Sequence, residues 1–231
     1  MIRLDKFLAA AGVGSRDEVK KFIKAGRIRV EGLSKFGPET KISESAKVWF
    51  DGKPVTYSEF LYLMLHKPAG VLTAVSDSRD RTVMELLPQG LRDVTPVGRL
   101  DKDTEGLLLF TNDGNLAHRL LAPKNEVKKT YYFECDRDLP TDAAEKLKEP
   151  IEFSDFTSKP AELRMESGRK GKITVTEGKF HEVKRLVHAV GADVTYLKRI
   201  SFGPLCLGDL QKGMVRELTS EETEALKNAV K

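Results

Sequence analysis

Apolar residues recur along this chain with two different rhythms, and the change from one to the other divides it. Leu4, Phe7, Leu8 and Ala11 follow helical spacing until Gly12 and Gly14 interrupt them. Ser15-Arg16-Asp17-Glu18 then has the form of a capping box, in which hydroxyl and carboxylate each take an amide that a helix start leaves unpaired. It predicts a second helix with Val19, Phe22 and Ile23 on its core face and Gly26 at its end. Arg27-Ile28-Arg29-Val30 alternates basic and apolar residues, as a strand with one buried face does. Asp51-Gly52-Lys53-Pro54 breaks the chain next, which sets a domain boundary near residue 57 and predicts domains 1–57 and 58–231. Beyond it the rhythm is of short apolar runs between turn residues, predicting strands at 60–65, 107–110, 130–135, 172–176 and 194–200. Helices are predicted at 115–121, 142–148 and 182–190, the last with Val183, Leu186, Val187 and Val190 on its buried face and Lys184 and Arg185 on its flanks. This spacing suits an α+β fold with a large, mostly antiparallel sheet.

Charge sharpens the division. Residues 1–57 carry 12 Lys or Arg against 7 Asp or Glu, whereas residues 58–231 carry 27 against 28. A basic module on a near-neutral body suggests an arm that grips a polyanion, with Arg3, Arg16, Lys20, Lys24, Arg27 and Arg29 as candidate contacts. The plainer alternative is a solvated basic face. No aromatic stacking platform is evident in the module, so contacts mainly to phosphate, with salt-sensitive affinity, are expected. Cys135 and Cys206 sit in apolar, strand-like stretches and read as two buried thiols, with no CxxC pair for metal or redox chemistry. No apolar run approaches the ~18 residues of a membrane helix and no signal peptide is evident, so a soluble cytoplasmic protein is expected. His66, His118, His181 and His188 are scattered and suit structural or RNA-contact roles.

Candidate chemistry concentrates between Gly98 and Gly114. Asp101, Asp103 and Glu105 are expected on a loop that enters the core, with a tight bend at Gly106, the apolar run 107–110 and turn residues Asn112-Asp113-Gly114. A carboxylate carried beside leucines is pushed toward its neutral form and needs a nearby cation to stay ionised. The spacing also resembles the start of a calcium loop, but its twelfth position is Asn112 rather than Glu, and the apolar run would lie inside the ligand loop. On spacing alone, a solvated acidic loop and a catalytic carboxylate both remain open.

The stretch from Gly98 to Gly114, followed by Leu116, Arg119-Leu120, Pro123 and Lys129-Thr130-Tyr131, resembles the central motif of bacterial RNA pseudouridine synthases, nearest the RsuA type that modifies ribosomal RNA. His66-Lys67-Pro68-Ala69-Gly70, the segment from Glu177 to Arg185 that contains Phe180-His181-Glu182-Val183-Lys184, and the run from Gly203 to Thr219 resemble further family segments in the expected order. Residues 1 to roughly 50 are similar to the small RNA-binding domain first described in ribosomal protein S-four. The resemblance implies an S-four-type (alpha-L) domain followed by a synthase domain with a mixed, bent sheet and an active-site cleft across it. It also implies isomerisation of uridine: the bond from uracil N1 to ribose breaks, the base turns, and C5 takes its place. Substrate and product are isomers, so no cofactor and no metal is expected.

By the same resemblance Asp101 is the nucleophile, Lys184 pairs with it, Tyr131 stacks on a uridine flipped out of its helix, and Arg99 holds phosphate or fills the space the base leaves. Whether Asp101 attacks the ribose, adds to the ring or promotes a glycal stays open. Many relatives carry Arg and Gln where this chain has Lys184 and Glu182, and lysine keeps the charge without the bidentate fork. Ser158-Lys159-Pro160-Ala161 and the C-terminal run lean toward the members that act on small-subunit 16S RNA, presented in a partly assembled subunit to a monomeric enzyme. Two rivals stand beside this reading. One is an RNA-binding assembly factor without turnover; the other is a hydrolase that pairs Asp101 with Asp103 or Glu105.

Overall fold

In the computed structural model the capping box forms from the residues that predict it. Ser15 Oγ accepts from the Glu18 N–H at 3.2 Å, and the Glu18 carboxylate accepts from the Ser15 N–H at 2.7 Å. The structure describes residues 1–55, 57, 60–88, 91 and 94–230. Strand β1 (Ile2–Arg3) leads into helix α1 (Leu4–Ala10), and α2 (Arg16–Lys24) follows the box. Strands β2 (Ile28–Val30), β3 (Lys41–Ile42), β4 (Val48–Phe50) and β5 (Lys53–Val55) complete the module, with β1 paired to β3 and β2-β4-β5 forming a small antiparallel sheet. Leu4, Phe7, Leu8, Val19, Ile28, Val30 and Val48 close one core.

Contacts divide the chain into two compact units, Met1–Leu61 with Pro88–Val94, and Tyr62–Leu87 with Thr95–Lys231. The boundary expected at residues 57 and 58 falls against residues 58 and 59, which lie outside the described residues.

The second unit holds β6 (Tyr62–Lys67), β7 (Thr95–Pro96), β8 (Glu105–Thr111), α3 (Gly114–Leu121), β9 (Lys129–Cys135), α4 (Ala143–Lys146) and β10 (Glu162–Ser167). After these come β11 (Lys170–Val175), α5 (Glu182–Ala189), β12 (Val194–Phe202), β13 (Leu205–Cys206), β14 (Val215–Glu217) and α6 (Ser220–Asn228). Its sheet has the order β10-β11-β9-β12-β8-β6-β14, with β13 beside β12 and β7 beside β8. Every pairing is antiparallel except that of β12 with β8, so the sheet is large, mixed and mostly antiparallel. Strand β8 is buried along its whole length. Leu107 and Leu109 pack with Tyr62, Met64, Leu116, Leu120, Phe202 and Leu226 in the main core.

Several expectations change at this point. Gly106 is no bend: it lies inside β8 opposite Arg199 of β12, with φ +110°. A Cβ there would meet the Arg199 carbonyl oxygen at 2.2 Å and its amide nitrogen at 2.6 Å, so glycine is what lets the one parallel pair close. Glu105 likewise belongs to the strand rather than the loop and is buried. Strand β10, which the reading of the sequence did not include, forms a hairpin with β11; its residues alternate too weakly in hydrophobicity to be seen, because most of them face solvent. Cys135 is buried but Cys206 is exposed, because in the short strand β13 only Leu205 turns inward. The module also has ring surfaces that its sequence did not suggest. Arg29 lies opposite Trp49 in the β2–β4 pair with its guanidinium 3.6 Å from the ring centre, and Arg27 lies 4.6 Å from the rings of both Phe22 and Phe50.

Candidate active site

A buried lysine shapes the loop that carries Asp101. Lys67, at the end of β6, has no exposed surface, and its ammonium group donates to the carbonyls of Pro68 (3.1 Å), Asp101 (3.0 Å), Lys102 (3.2 Å) and Thr104 (2.8 Å). Burial pushes its pKa down to about 8, against the pull of the carboxylates of Asp103, Asp101 and Glu105, so it remains largely charged at neutral pH. Thr73 adds a second anchor by exchanging hydrogen bonds with both backbone groups of Leu100. The loop is thus fixed from beneath through its backbone, which leaves the acidic side chains free to point outward.

Above this base, Arg99, Asp101, Thr104, Tyr131, Lys179, His181, Glu182 and Lys184 line one pocket. The four site residues expected from the sequence, Arg99, Asp101, Tyr131 and Lys184, are therefore brought together from the loop, β9 and α5. Lys184 Nζ lies 3.3 Å from Asp101 Oδ2 and His181 Nε2 lies 3.7 Å from Asp101 Oδ1. Lys184 is shared: it donates to both oxygens of Asp103 at 2.7 and 2.9 Å, closer than it approaches Asp101. Burial works against the Lys184 charge, but the two aspartates outweigh it and hold its pKa above the usual lysine value. Tyr131 is largely buried with the Arg199 guanidinium 6.0 Å from its ring centre. Arg99 is exposed and forms no ion pair with the described residues. Thr104 Oγ1 is buried in the pocket wall and has no hydrogen-bond partner among the described residues.

The other acids of the loop are committed elsewhere. Glu105 accepts from Tyr196 Oη at 2.9 Å and Lys212 Nζ at 2.8 Å; burial alone would raise its pKa, but these partners hold it below the usual carboxylate range. It does not line the pocket with Asp101, which removes it as the second acid of a hydrolase. The calcium reading also ends here, because residues 107–110 are buried inside β8 and no group of His, Cys, Asp or Glu among the described residues is placed to hold a metal ion.

Three groups are buried where the sequence reading did not place them. Lys129 and Arg199 are buried side by side on the paired strands β9 and β12, and burial together with the Arg199 charge lowers the Lys129 pKa to about 8. Facing them, Glu182 is buried at the start of α5 with the Glu177 carboxyl within hydrogen-bond reach. Burial pushes the Glu182 pKa up to about 7, and the neighbouring Glu177 adds to the effect. Only alternation of charge within apolar strands hinted at Lys129 and Arg199, and that pattern reads equally well as solvent exposure.

The Glu182 pKa makes stability depend on pH with a definite sign. A group whose native pKa lies above its unfolded value holds a proton that the unfolded chain releases, so stability falls as pH rises from about 4.5 through about 7. Glu182→Gln keeps a donor toward Glu177 and removes the titration. Its stability is expected to match that of the wild type at pH 5 and exceed it at pH 8 by a few kcal/mol, on the order of 1–3. Denaturant melts at the two pH values check this, and an equal change at both would mean that Glu182 does not titrate in this range.

The basic module shows a mixed picture. Arg3 pairs bidentately with buried Asp5, Arg27 pairs with Asp51, and Lys20 pairs with Asp17. Arg16, Lys24 and Arg29 are exposed and form no ion pair with the described residues, although the Arg16 charge reaches buried Asp5. Arg169, Lys170 and Lys172 on the β10–β11 hairpin are each matched by a carboxylate, from Asp138, Glu134 and Glu166 respectively.

Comparison with known proteins agrees with this geometry. The family described as RNA pseudouridylate synthase matches residues 61–189, and the S4 domain matches residues 2–33. The chain is 45% identical to the RNA pseudouridine synthase YtzG of Bacillus subtilis over 97% of its own length and 98% of that protein. It is 36% identical to the ribosomal large subunit pseudouridine synthase B of Bacillus subtilis, covering 98% and 96% of the two chains. Identity to the ribosomal small subunit pseudouridine synthase A of Vibrio cholerae is 35%, over 97% and 99%. A crystal structure of a pseudouridylate synthase superposes with a TM-score of 0.69 at 31% identity, covering 98% of this chain and 100% of that one. Among the described residues no helix is long and apolar enough to cross a membrane. With an S4 domain ahead of a catalytic domain that aligns over nearly its full length, the chain belongs to the RNA pseudouridine synthases and is an isomerase of that family.

Proposed function

We propose that this enzyme converts one uridine of small-subunit 16S ribosomal RNA to pseudouridine, acting as a cytoplasmic monomer on a partly assembled subunit, without cofactor or metal. The observation that carries the reading is the convergence of Arg99, Asp101, Tyr131 and Lys184 on one pocket. Asp101 is the nucleophile. Lys184 Nζ lies 3.3 Å from its carboxylate, and the lysine's second partner, Asp103, fixes the position of the ammonium group. The target uridine leaves its helix and enters the pocket, Tyr131 lies against the base, and Arg99 takes a phosphate. The relatives named for the large and the small subunit are equally distant, at 36% and 35% identity. The choice of 16S RNA therefore rests on the segment Ser158-Lys159-Pro160-Ala161 and the run from Gly203 to Thr219.

We place the boundary between the two domains near residue 57 and assign RNA binding in the first to Arg3, Arg16, Lys20, Lys24, Arg27 and Arg29. Arg16, Lys24 and Arg29, which form no ion pair with the described residues, are the strongest of these. Replacing any one of the three with alanine is expected to weaken binding to all RNAs alike and to reduce the slope of log K against log salt by about 0.7–0.9. Titrations at several salt concentrations test this, and an unchanged slope in all three variants would remove the module from the phosphate contacts. The reaction itself is tested by tritium release from ribosomal RNA labelled at uridine C5, presented free and as partly assembled small subunits. Release is expected from the small-subunit substrate. Silence on every substrate, with RNA binding intact, would favour a binding factor without turnover.

A further inference from the structure

Phe180 leaves 72% of its surface exposed, yet its ring is not free to wander. It stacks on His181 with ring centres 3.8 Å apart and planes inclined by 21°. His181 lines the Asp101 pocket and approaches Asp101 to 3.7 Å, so the two rings form a short step leading outward from the reactive carboxylate. The turn that carries them is closed twice, by the Glu182 N–H on the Lys179 carbonyl at 3.2 Å and by the Lys179 N–H on the Glu182 carboxylate at 3.1 Å. His181 is held there in the left-handed region, with φ +52°, an uncommon setting for a side chain of this kind and one that recurs at functional sites. Lys179 and Lys184 flank the step on the pocket wall.

We propose that the Phe180–His181 stack is a platform for the nucleobase next to the target uridine on the RNA strand, a role that rests on the isomerase reading above. When the uridine leaves its helix, its neighbour loses a stacking partner at a cost of a few kcal/mol. A flat ring already ordered at the pocket rim restores that contact without ordering a new side chain, and the flanking lysines suit the phosphates on either side. The platform selects for a base of any identity at that position and against an abasic sugar.

The test uses the full-length protein and short single-stranded RNAs with one C5-tritiated uridine flanked by adenosines, or with an abasic ribose at the 5′ or the 3′ neighbour. Phe180→Ala is expected to weaken binding to the intact RNA roughly 10- to 100-fold, with KM rising more than kcat falls. On one of the two abasic RNAs the wild type drops to the level of the variant, and the variant loses nothing further, which a merely structural role would not produce. Phe180→Trp retains binding, whereas Phe180→Leu, which keeps apolar area but has no aromatic face, behaves as alanine does. A loss of equal size on all three RNAs, or no loss at all, would overturn the platform. Tritium release separates the two layers: absence of release from these RNAs and from partly assembled small subunits, with base-dependent binding intact, counts against the isomerase reading alone.

Discussion

Asp101→Ala, and equally Asp101→Asn, is expected to lower tritium release from uridine-labelled RNA by about a thousand-fold or more, on the scale seen when a single reacting group is removed. Asparagine is the sharper test, because it keeps the shape of the side chain and loses only the charge. The fold should survive either change: the Asp101 side chain is 28% exposed, and its backbone carbonyl stays bound to Lys67. RNA binding should change by only a few-fold, since most phosphate contacts are assigned to the basic module. Unaltered binding with lost turnover would place Asp101 in the chemical step. An Asp101→Asn enzyme with more than about a tenth of wild-type activity would exclude the aspartate as nucleophile.

The second large effect is expected at Lys67, which touches no substrate. Its ammonium group offers three N–H donors to four carbonyls, partly or fully buried, so one hydrogen is shared and every donor is used. Lys67→Met fills nearly the same volume but removes the charged donor from all four; the Asp101 and Lys102 carbonyls keep the N–H groups of Thr104 and Gly70, whereas those of Pro68 and Thr104 lose their side-chain donor. We expect a loss of about 1–3 kcal/mol in stability, the range for leaving buried acceptors without their donor, together with a loss of activity through the displaced loop. The pH dependence provides a signature. Because the native pKa of Lys67 is depressed to about 8 while the unfolded value is near 10.5, the native state binds fewer protons in that window, and its stability rises with pH between the two values. Lys129, also lowered to about 8, contributes in the same sense. In Lys67→Met the rise should shrink to the Lys129 share. Denaturant titrations at pH 7.5 and 10 would measure it, and a variant as stable as the wild type at pH 7.5 would mean that the loop does not depend on this lysine.

Asp103 and Glu105 show why three neighbouring acids cannot be ranked by spacing. They stand two and four residues from Asp101, yet Asp103 is exposed beside Lys184 while Glu105 is buried between Tyr196 and Lys212, which come from 91 and 107 residues away. The resemblance to a family named Asp101, but no property of the local sequence separates it from its neighbours. Lys67 is a similar case. It stood in a recognised run of residues, but a lysine in sequence reads as exposed unless the surrounding carbonyls are known, and three of its four come from a loop 34 to 37 residues later.

What the sequence determined by itself is what depends on neighbours a few residues apart. The capping box at Ser15, the buried face of α5 and the strands at 107–110 and 130–135 follow from hydrogen bonds and apolar periodicity within one or two turns, so they could be read directly. The charge division between the two parts was legible for the same reason: it requires only counting. Only the tertiary structure decided that Gly106 is the close contact of a parallel strand pair, that Lys129 and Arg199 are buried together, that Glu182 is buried beside Glu177, and that Phe180 stacks on His181. Each of these depends on which distant backbone or side chain arrives within about 4 Å, where packing and electrostatic energies are set, and that is fixed by strand order rather than by any local pattern.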